Sequence, residues 1–167
     1  MAQRHDGGER ELTVRKLVAK DEGRLVAIDE QITGRRRAMW YERRVTRAIA
    51  ESDVQISLAA EIDGMLVGAL LGSLQYGEFG VPEPVAVLDT VLVDPEFSGR
   101  GVARALLLQL AKNLRGLHIE RLRTEVAWDE QQLLGFFGSR GFTPVPRLVL
   151  EAPIESVIEH SVGSAEG

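Results

Sequence analysis

The chain has 167 residues, 44% apolar and 27% charged, which fits one soluble globular domain with a substantial core. Its 20 Lys and Arg against 25 Asp and Glu give a net charge of -5, which argues against nucleic-acid binding and suits a cationic small partner better. Cysteine is absent, which excludes disulfides, thiolate metal sites and cysteine nucleophiles; with no membrane-length apolar run and no signal-like start, no membrane partner is expected and the cytoplasm is the expected compartment.

Residues 1–10 read as a disordered leader, 11–153 as one domain and 154–167 as a flexible tail. Residues 12–17 alternate as a short strand. Asp21 is placed to cap a helix running to about Glu30, with Leu25, Val26 and Ile28 on its apolar side. The basic break at Thr33-Gly34-Arg35 precedes a second helix over about 38–51. Residues 54–62 alternate again, Asp63-Gly64 signals a hairpin, and 65–74 return as its partner. After a loop over 75–84, residues 85–93 are apolar on both faces except for Asp89 and Thr90, as in a strand buried on both sides.

Residues 99–114 form an amphipathic helix through Ala103, Leu107, Leu110 and Leu114, with Leu106 beside them. A strand over 119–128 and a helix over 130–140, stopped by Gly141, follow. Residues 142–152 supply one or two short strands interrupted by Pro144 and Pro146. This order predicts an α/β (α+β) fold: a mixed central β-sheet of six to seven strands with about four helices on both faces. The unit over 85–128 is expected to be parallel with a right-handed crossover.

The most informative segment is Val93-Asp94-Pro95-Glu96-Phe97-Ser98-Gly99-Arg100-Gly101-Val102-Ala103. A buried strand ends and a glycine turn opens directly into a helix. Gly99 and Gly101 permit backbone conformations closed to other residues and let a ligand approach the main chain. The free N–H groups and dipole of the first helical turn favour an anion such as a pyrophosphate. Arg100 and Arg104 stand at the same end, against the preference of the dipole, which points to an anionic ligand. A nucleotide P-loop is excluded because no Gly-Lys-Ser/Thr follows, and the third glycine of a dinucleotide fingerprint is missing.

These residues resemble the GNAT superfamily of acetyl-CoA-dependent N-acetyltransferases, whose pattern is Gln/Arg-x-x-Gly-x-Gly/Ala after Val-x-Pro. The chain departs at the first position, where Ser98 stands. The exit of the last helix, Phe136-Phe137-Gly138-Ser139-Arg140-Gly141-Phe142, is similar to the family's aromatic-Tyr-x-x-x-Gly-Phe ending. The resemblance covers roughly 12–152. It implies acetyl-CoA as co-substrate, with the amides of Leu92 and Val93 holding the pantetheine and polarising the thioester carbonyl. Such a donor is worth ~3 kcal/mol of barrier. The amides of Ser98, Gly99, Arg100, Gly101, Val102 and Ala103 would hold the pyrophosphate, with Arg104 adding charge.

Transfer to an amine also needs a base. Glu125 matches the strand position where the family's ribosomal-protein N-terminal acetyltransferases carry theirs, and its alternative is an ion pair with Arg123 or Arg121. Asp89 is two residues beyond the base position of histone-type members, and its alternative is a structural hydrogen bond. The family's general-acid tyrosine is replaced by Phe137, and a thiol of pKa about 8.5 leaves tolerably without it.

For the acceptor, Asp29, Glu78, Glu83 and Asp89 offer an acidic mouth, and Tyr41 and Trp128 an aromatic wall for a cation. Trp40 reads as packing a helix onto the sheet. Arg35, Arg36 and Arg37 form a basic run beside this region, and the three histidines have no metal-ligand spacing. The acceptor is expected to be an amine on a small molecule, a peptide N-terminus or a lysine. The rival expectation is an acyl-CoA-binding sensor with this fold. The short, proline-broken C-terminus either leaves the acceptor groove open or pairs residues 147–152 across a dimer interface, and a homodimer is expected.

Overall fold

A computed structural model describes residues 11–50, 56–77, 80 and 82–162. The chain divides into two compact units, Met1–Glu125 and Val126–Gly167. The first carries β1 (Leu12–Lys16), α1 (Glu22–Thr33), α2 (Ala38–Ala50), β2 (Leu58–Ile62), β3 (Met65–Gln75), β4 (Val85–Val93), α3 (Val102–Gly116) and β5 (Arg121–Thr124). The second carries α4 (Gln131–Gly138) and α5 (Ile154–Val162). The leader expected at 1–10 and the start of the strand expected over 54–62 lie outside the described residues.

The sheet has the order β1-β2-β3-β4-β5, antiparallel throughout except for the parallel β4–β5 pair. The mixed fold expected from the sequence is therefore present, with five strands among the described residues rather than six to seven. The strands expected over 142–152 do not form. Pro144 and Pro146 remove ladder donors there, and the segment keeps one local bond, from the Arg147 N–H to the Val145 carbonyl at 2.8 Å.

Alternation along β3 sorts the core into two faces. Leu25, Val26 and Ile28 of α1, with Tyr41 and Val45 of α2, bury against Ala59, Ala69, Leu71 and Leu92. On the other face α3 presents Val102, Leu106 and Leu110. Gly68 is what permits this approach: a β-carbon there would lie 2.7 Å from the Val102 Cγ1 and 2.9 Å from the Leu92 carbonyl. Helix α3 starts at Val102 rather than 99, because Gly99 and Gly101 both hold positive φ, 74° and 80°.

Charged side chains pin α1 at both ends. Asp21 stands at the N-cap position of α1, as the sequence suggested, but its side chain makes no cap bond. Its carboxylate accepts a two-pronged bond from Arg15 at 2.7 Å per contact and one from the Val18 N–H at 2.9 Å, while Arg15 also binds Glu61 of β2. At the C-terminal end Gly34 takes φ 68°, and its N–H returns to the Glu30 carbonyl at 2.8 Å. Among the described residues no buried side-chain nitrogen or oxygen lacks a partner.

In the second unit, Phe137 packs against Phe136 and Phe142 with ring centroids 5.2 and 4.9 Å away. Gly141, at φ 88°, closes α4 with a bond from the Phe142 N–H to the Phe137 carbonyl at 3.1 Å, as the sequence indicated. The tail expected at 154–167 instead begins with α5. Ile154, Val157 and Ile158 make its apolar stripe, and Glu155 and His160 stand at the ends that suit the helix dipole. No helix among the described residues is long and apolar enough to cross a membrane.

Gly68→Ala is expected to cost about 1–3 kcal/mol through overpacking against Val102, lowering the melting midpoint by several degrees. An unchanged midpoint would contradict this packing. A second expectation concerns acid. Burial works to raise the Asp21 pKa, but Arg15 and the Val18 N–H together hold it below the usual carboxylate range. Asp29 is held low by Arg37 against the opposing effect of burial. Groups depressed by folding stabilise fully above their unfolded pKa, about 3.9, and lose that contribution as pH falls through the folded value. Denaturant midpoints should therefore hold near pH 6 and drop below about pH 4, with a shallower drop in Asp21→Asn.

Candidate functional site

The site begins where β4 leaves β5. Their ladder runs from Val85↔Arg121 to Leu88↔Thr124, and the Thr124 Oγ1 donates to the Leu88 carbonyl at 2.9 Å across its last rung. Beyond it β4 continues to Val93 while β5 stops, so the strand expected over 119–128 is cut short for want of a partner. On its other side β4 stays paired with β3, but Leu71 faces Thr90 and Gly72 faces Leu88, leaving Asp89 as the extra residue of a bulge.

This pairing decides which amides of β4 face the opening. The Asp94 N–H donates to the Val67 carbonyl of β3 at 2.8 Å. By alternation Leu92, paired with Ala69, also turns its N–H toward β3, whereas Val91 and Val93 turn theirs to the side that β5 has vacated. Of the two amides suggested from the sequence, that of Val93 faces the opening and that of Leu92 faces β3; the other amide on the open side is that of Val91.

The turn after β4 is built on Asp94, 1% exposed. Its carboxylate accepts the Glu96 N–H at 3.0 Å and pairs with Arg24 of α1, whose Nε also reaches the Leu66 carbonyl at 3.2 Å. Phe97 is buried beneath the turn, and Arg100 lies over its ring at 5.1 Å. Ser98, Gly99, Arg100, Gly101 and Arg104 are exposed; Val102 is buried and Ala103 half-buried. The first backbone bond into α3 runs from the Ala105 N–H to the Gly101 carbonyl at 2.9 Å. The amides of Val102, Ala103 and Arg104 precede it and have no carbonyl one turn back. A β-carbon at Gly99 or Gly101 would meet nothing within 4 Å, so both glycines serve backbone conformation rather than space.

The carboxylates sort differently from the sequence expectation. Asp89 is not buried: the bulge turns it outward, where it pairs with Arg44 of α2 and accepts the Thr90 hydroxyl at 2.9 Å. Glu125 is exposed one residue past the last β4–β5 rung, and its side chain has no ion pair or hydrogen bond among the described residues. Asp29 and Tyr41 are not part of an open mouth. Each is 1% exposed, inside the core between α1 and α2. Arg37 binds Asp29 through Nε at 2.8 Å, and burial with the Asp29 charge nearby pushes the Tyr41 hydroxyl up to about 12. The sequence showed these residues as polar but not that they satisfy one another.

Glu83 is exposed in the loop before β4, and Glu78 lies outside the described residues. Trp128 (91% exposed) and Phe137 belong to the second unit. Trp40 is partly exposed, not packed onto the sheet as expected, and its ring is flanked by Arg37 at 5.1 Å and Arg44 at 5.5 Å. Arg24, Arg44 and Thr124 were not singled out in the sequence. An arginine in an amphipathic helix carries no local sign that its partner lies on β4.

The Acetyltransferase (GNAT) family model matches residues 25–142, so the match runs across both units. Solved structures share the fold at low identity. An aminoglycoside N-acetyltransferase AAC(6')-Iy in complex with CoA superposes with TM-score 0.71 at 16% identity, covering 86% of this chain and 95% of its own. The aminoglycoside 6'-N-acetyltransferase AAC(6')-IG from Acinetobacter haemolyticus gives 0.69 at 16%, covering 84% and 97%. The PaiA N-acetyltransferase from Thermoplasma acidophilum in complex with coenzyme A gives 0.67 at 17%, covering 83% and 93%. A strand that parts from its neighbour beside a glycine turn, together with a family match over most of the chain, identifies the protein as a member of the GNAT acetyltransferase family.

Proposed function

We propose that this protein acetylates the amine of a small molecule, drawing the acetyl group from acetyl-CoA. The observation that carries the reading is the opening between β4 and β5, beside the first-turn amides of α3 that have no carbonyl one turn back. The pantetheine would lie along Val91 and Val93 as an added strand, and one of these amides would meet the developing oxyanion. The pyrophosphate would rest on the amides of Val102, Ala103 and Arg104, with Arg100 and Arg104 supplying positive charge. Coenzyme-bound neighbours of the same fold support acetyl-CoA as the co-substrate.

In the reaction the amine nitrogen bonds to the thioester carbon, the carbon–sulfur bond breaks, and the acetylated amine and the thiol of CoA are formed. The amine first gives up its ammonium proton. Glu125 is our choice of base because its carboxylate is unengaged at the opening, while Asp89 is held by Arg44 and Thr90. The thiolate takes its proton from water. A small acceptor is favoured over a protein lysine by analogy with the aminoglycoside-modifying neighbours.

Glu125→Gln is expected to lower kcat by about 10²–10⁴ with little change in acetyl-CoA affinity, as read by free-thiol release and calorimetry. Asp89→Asn should cost less. Full turnover in Glu125→Gln would remove the base assignment. Phe137 keeps a sensor role in view, and tight acetyl-CoA binding with no CoA release across a broad amine panel would establish that instead.

A homodimer is part of the same proposal. Leu148, Val149 and Leu150 are 83%, 70% and 86% exposed in an extended segment with no ladder partner among the described residues. A second copy of the chain would cover them. Sedimentation at micromolar concentration should show a dimer that Leu148→Lys dissociates; a monomer throughout would refute it.

A further inference from the structure

The turn that carries Gly99 and Gly101 is anchored only at its ends. Asp94 and Phe97 are buried where it leaves β4, and Val102 is buried where it enters α3. Ser98, Gly99, Arg100 and Gly101 between them are exposed, and the backbone bond that spans them, from the Arg100 N–H to the Phe97 carbonyl, is long at 3.4 Å. The direction in which this stretch leaves the sheet is therefore set at the buried ends. The Val102 end rests on its packing at Gly68, and the Asp94 end rests on charge.

Asp94 is engaged on every side. Its N–H reaches the Val67 carbonyl of β3 at 2.8 Å, and its own carbonyl accepts the Phe97 N–H at 2.9 Å. One carboxylate oxygen accepts the Glu96 N–H at 3.0 Å, and the other meets the Arg24 guanidinium. Arg24 also holds the Leu66 carbonyl at 3.2 Å, so the two side chains of the pair and the Asp94 amide grip neighbouring residues of β3. Arg24 is the third residue of α1, in the first turn, where the helix dipole disfavours a cation. Its place there is explained by Asp94, a carboxylate buried too deeply for water to replace the guanidinium.

We infer that Arg24 is a positioning residue for the pyrophosphate of coenzyme A, acting through Asp94 and touching no part of the coenzyme itself. This rests on the proposed placement of the pyrophosphate on the amides of Val102, Ala103 and Arg104. Pantetheine and pyrophosphate belong to one molecule, so the amides of β4 and those of the α3 start have to stay in register within about 0.5 Å. Without Arg24 the Asp94 carboxylate turns toward water, its bond to the Glu96 N–H is lost, and the turn shifts relative to Val91 and Val93. A ligand that uses only the β4 amides is indifferent to that shift.

Titration of the full chain with CoA, by calorimetry, and with pantetheine, by NMR, separates positioning from stability. Pantetheine lacks the pyrophosphate. In Arg24→Gln the CoA affinity should fall at least about tenfold while the pantetheine affinity changes less than about twofold, and Arg24→Lys should recover part of the loss. Arg15→Gln, which breaks the ion pair with Asp21 and Glu61, should lower the melting midpoint and leave the ratio of the two affinities at its wild-type value. If Arg24→Gln does not fold, Asp94→Asn keeps an acceptor for the Glu96 N–H, removes the charge and should lower the same ratio. A wild-type ratio in the Arg24 or Asp94 variant, with only the melting midpoint lowered, overturns the assignment and leaves the pyrophosphate placement standing. An equal loss of both ligands, or an equal fall of the ratio in Arg15→Gln, overturns it as well. Wild-type protein that binds CoA no more tightly than pantetheine overturns the placement and this assignment with it.

Discussion

The parting of β4 from β5 is the constraint on which the rest of the site depends. A strand inside a sheet has both rows of backbone groups engaged, and none is left for a ligand. Here β4 keeps β3 on one side through Val93 and loses β5 on the other after Leu88. The bulge at Asp89 accompanies the change. One extra residue bends the strand away from its parallel neighbour and brings a carboxylate out of an otherwise apolar run. The opening, the outward amides of Val91 and Val93, and the exposure of Asp89 are thus consequences of one change in register.

A second layer of polar contacts holds that opening in place. Asp94 ends β4, caps the following turn and binds Arg24, so the turn that delivers Gly99 and Gly101 is tied to α1. Arg15 joins β1, the approach to α1 and β2 through Asp21 and Glu61. Asp29 and Arg37 link the end of α1 to the segment leading into α2. Each is a carboxylate matched to a guanidinium, and Asp21 and Asp29 are each held by two guanidinium nitrogens, a geometry that fixes direction as well as distance. On the opposite face the missing side chain of Gly68 lets α3 approach the sheet and aim its N-terminus at the turn.

What could be read from the sequence divides along the range of the interactions. The elements, the hairpin at Asp63-Gly64 and the glycine turn before α3 are set by local periodicity and local backbone freedom, and these were legible. Asp89 was visible as an anomaly, but its exposure was not, because a bulge depends on how two strands pair rather than on either strand's residues. Asp29 and Tyr41 looked like acceptor-binding groups because their partner, Arg37, comes from across a turn and closes on them only in the folded chain. The strands expected after Gly141 fail because two prolines outweigh alternating apolar residues that find no described partner.

The central claim is that coenzyme A enters the opening as an added strand against β4 and ends on the start of α3. Backbone amide exchange followed by NMR, with and without saturating CoA, tests it residue by residue. CoA should slow exchange at Val91, Val93, Val102, Ala103 and Arg104, while Leu92, directed toward β3, should change little. Unchanged exchange at Val91 and Val93 in the CoA-saturated protein would contradict the account.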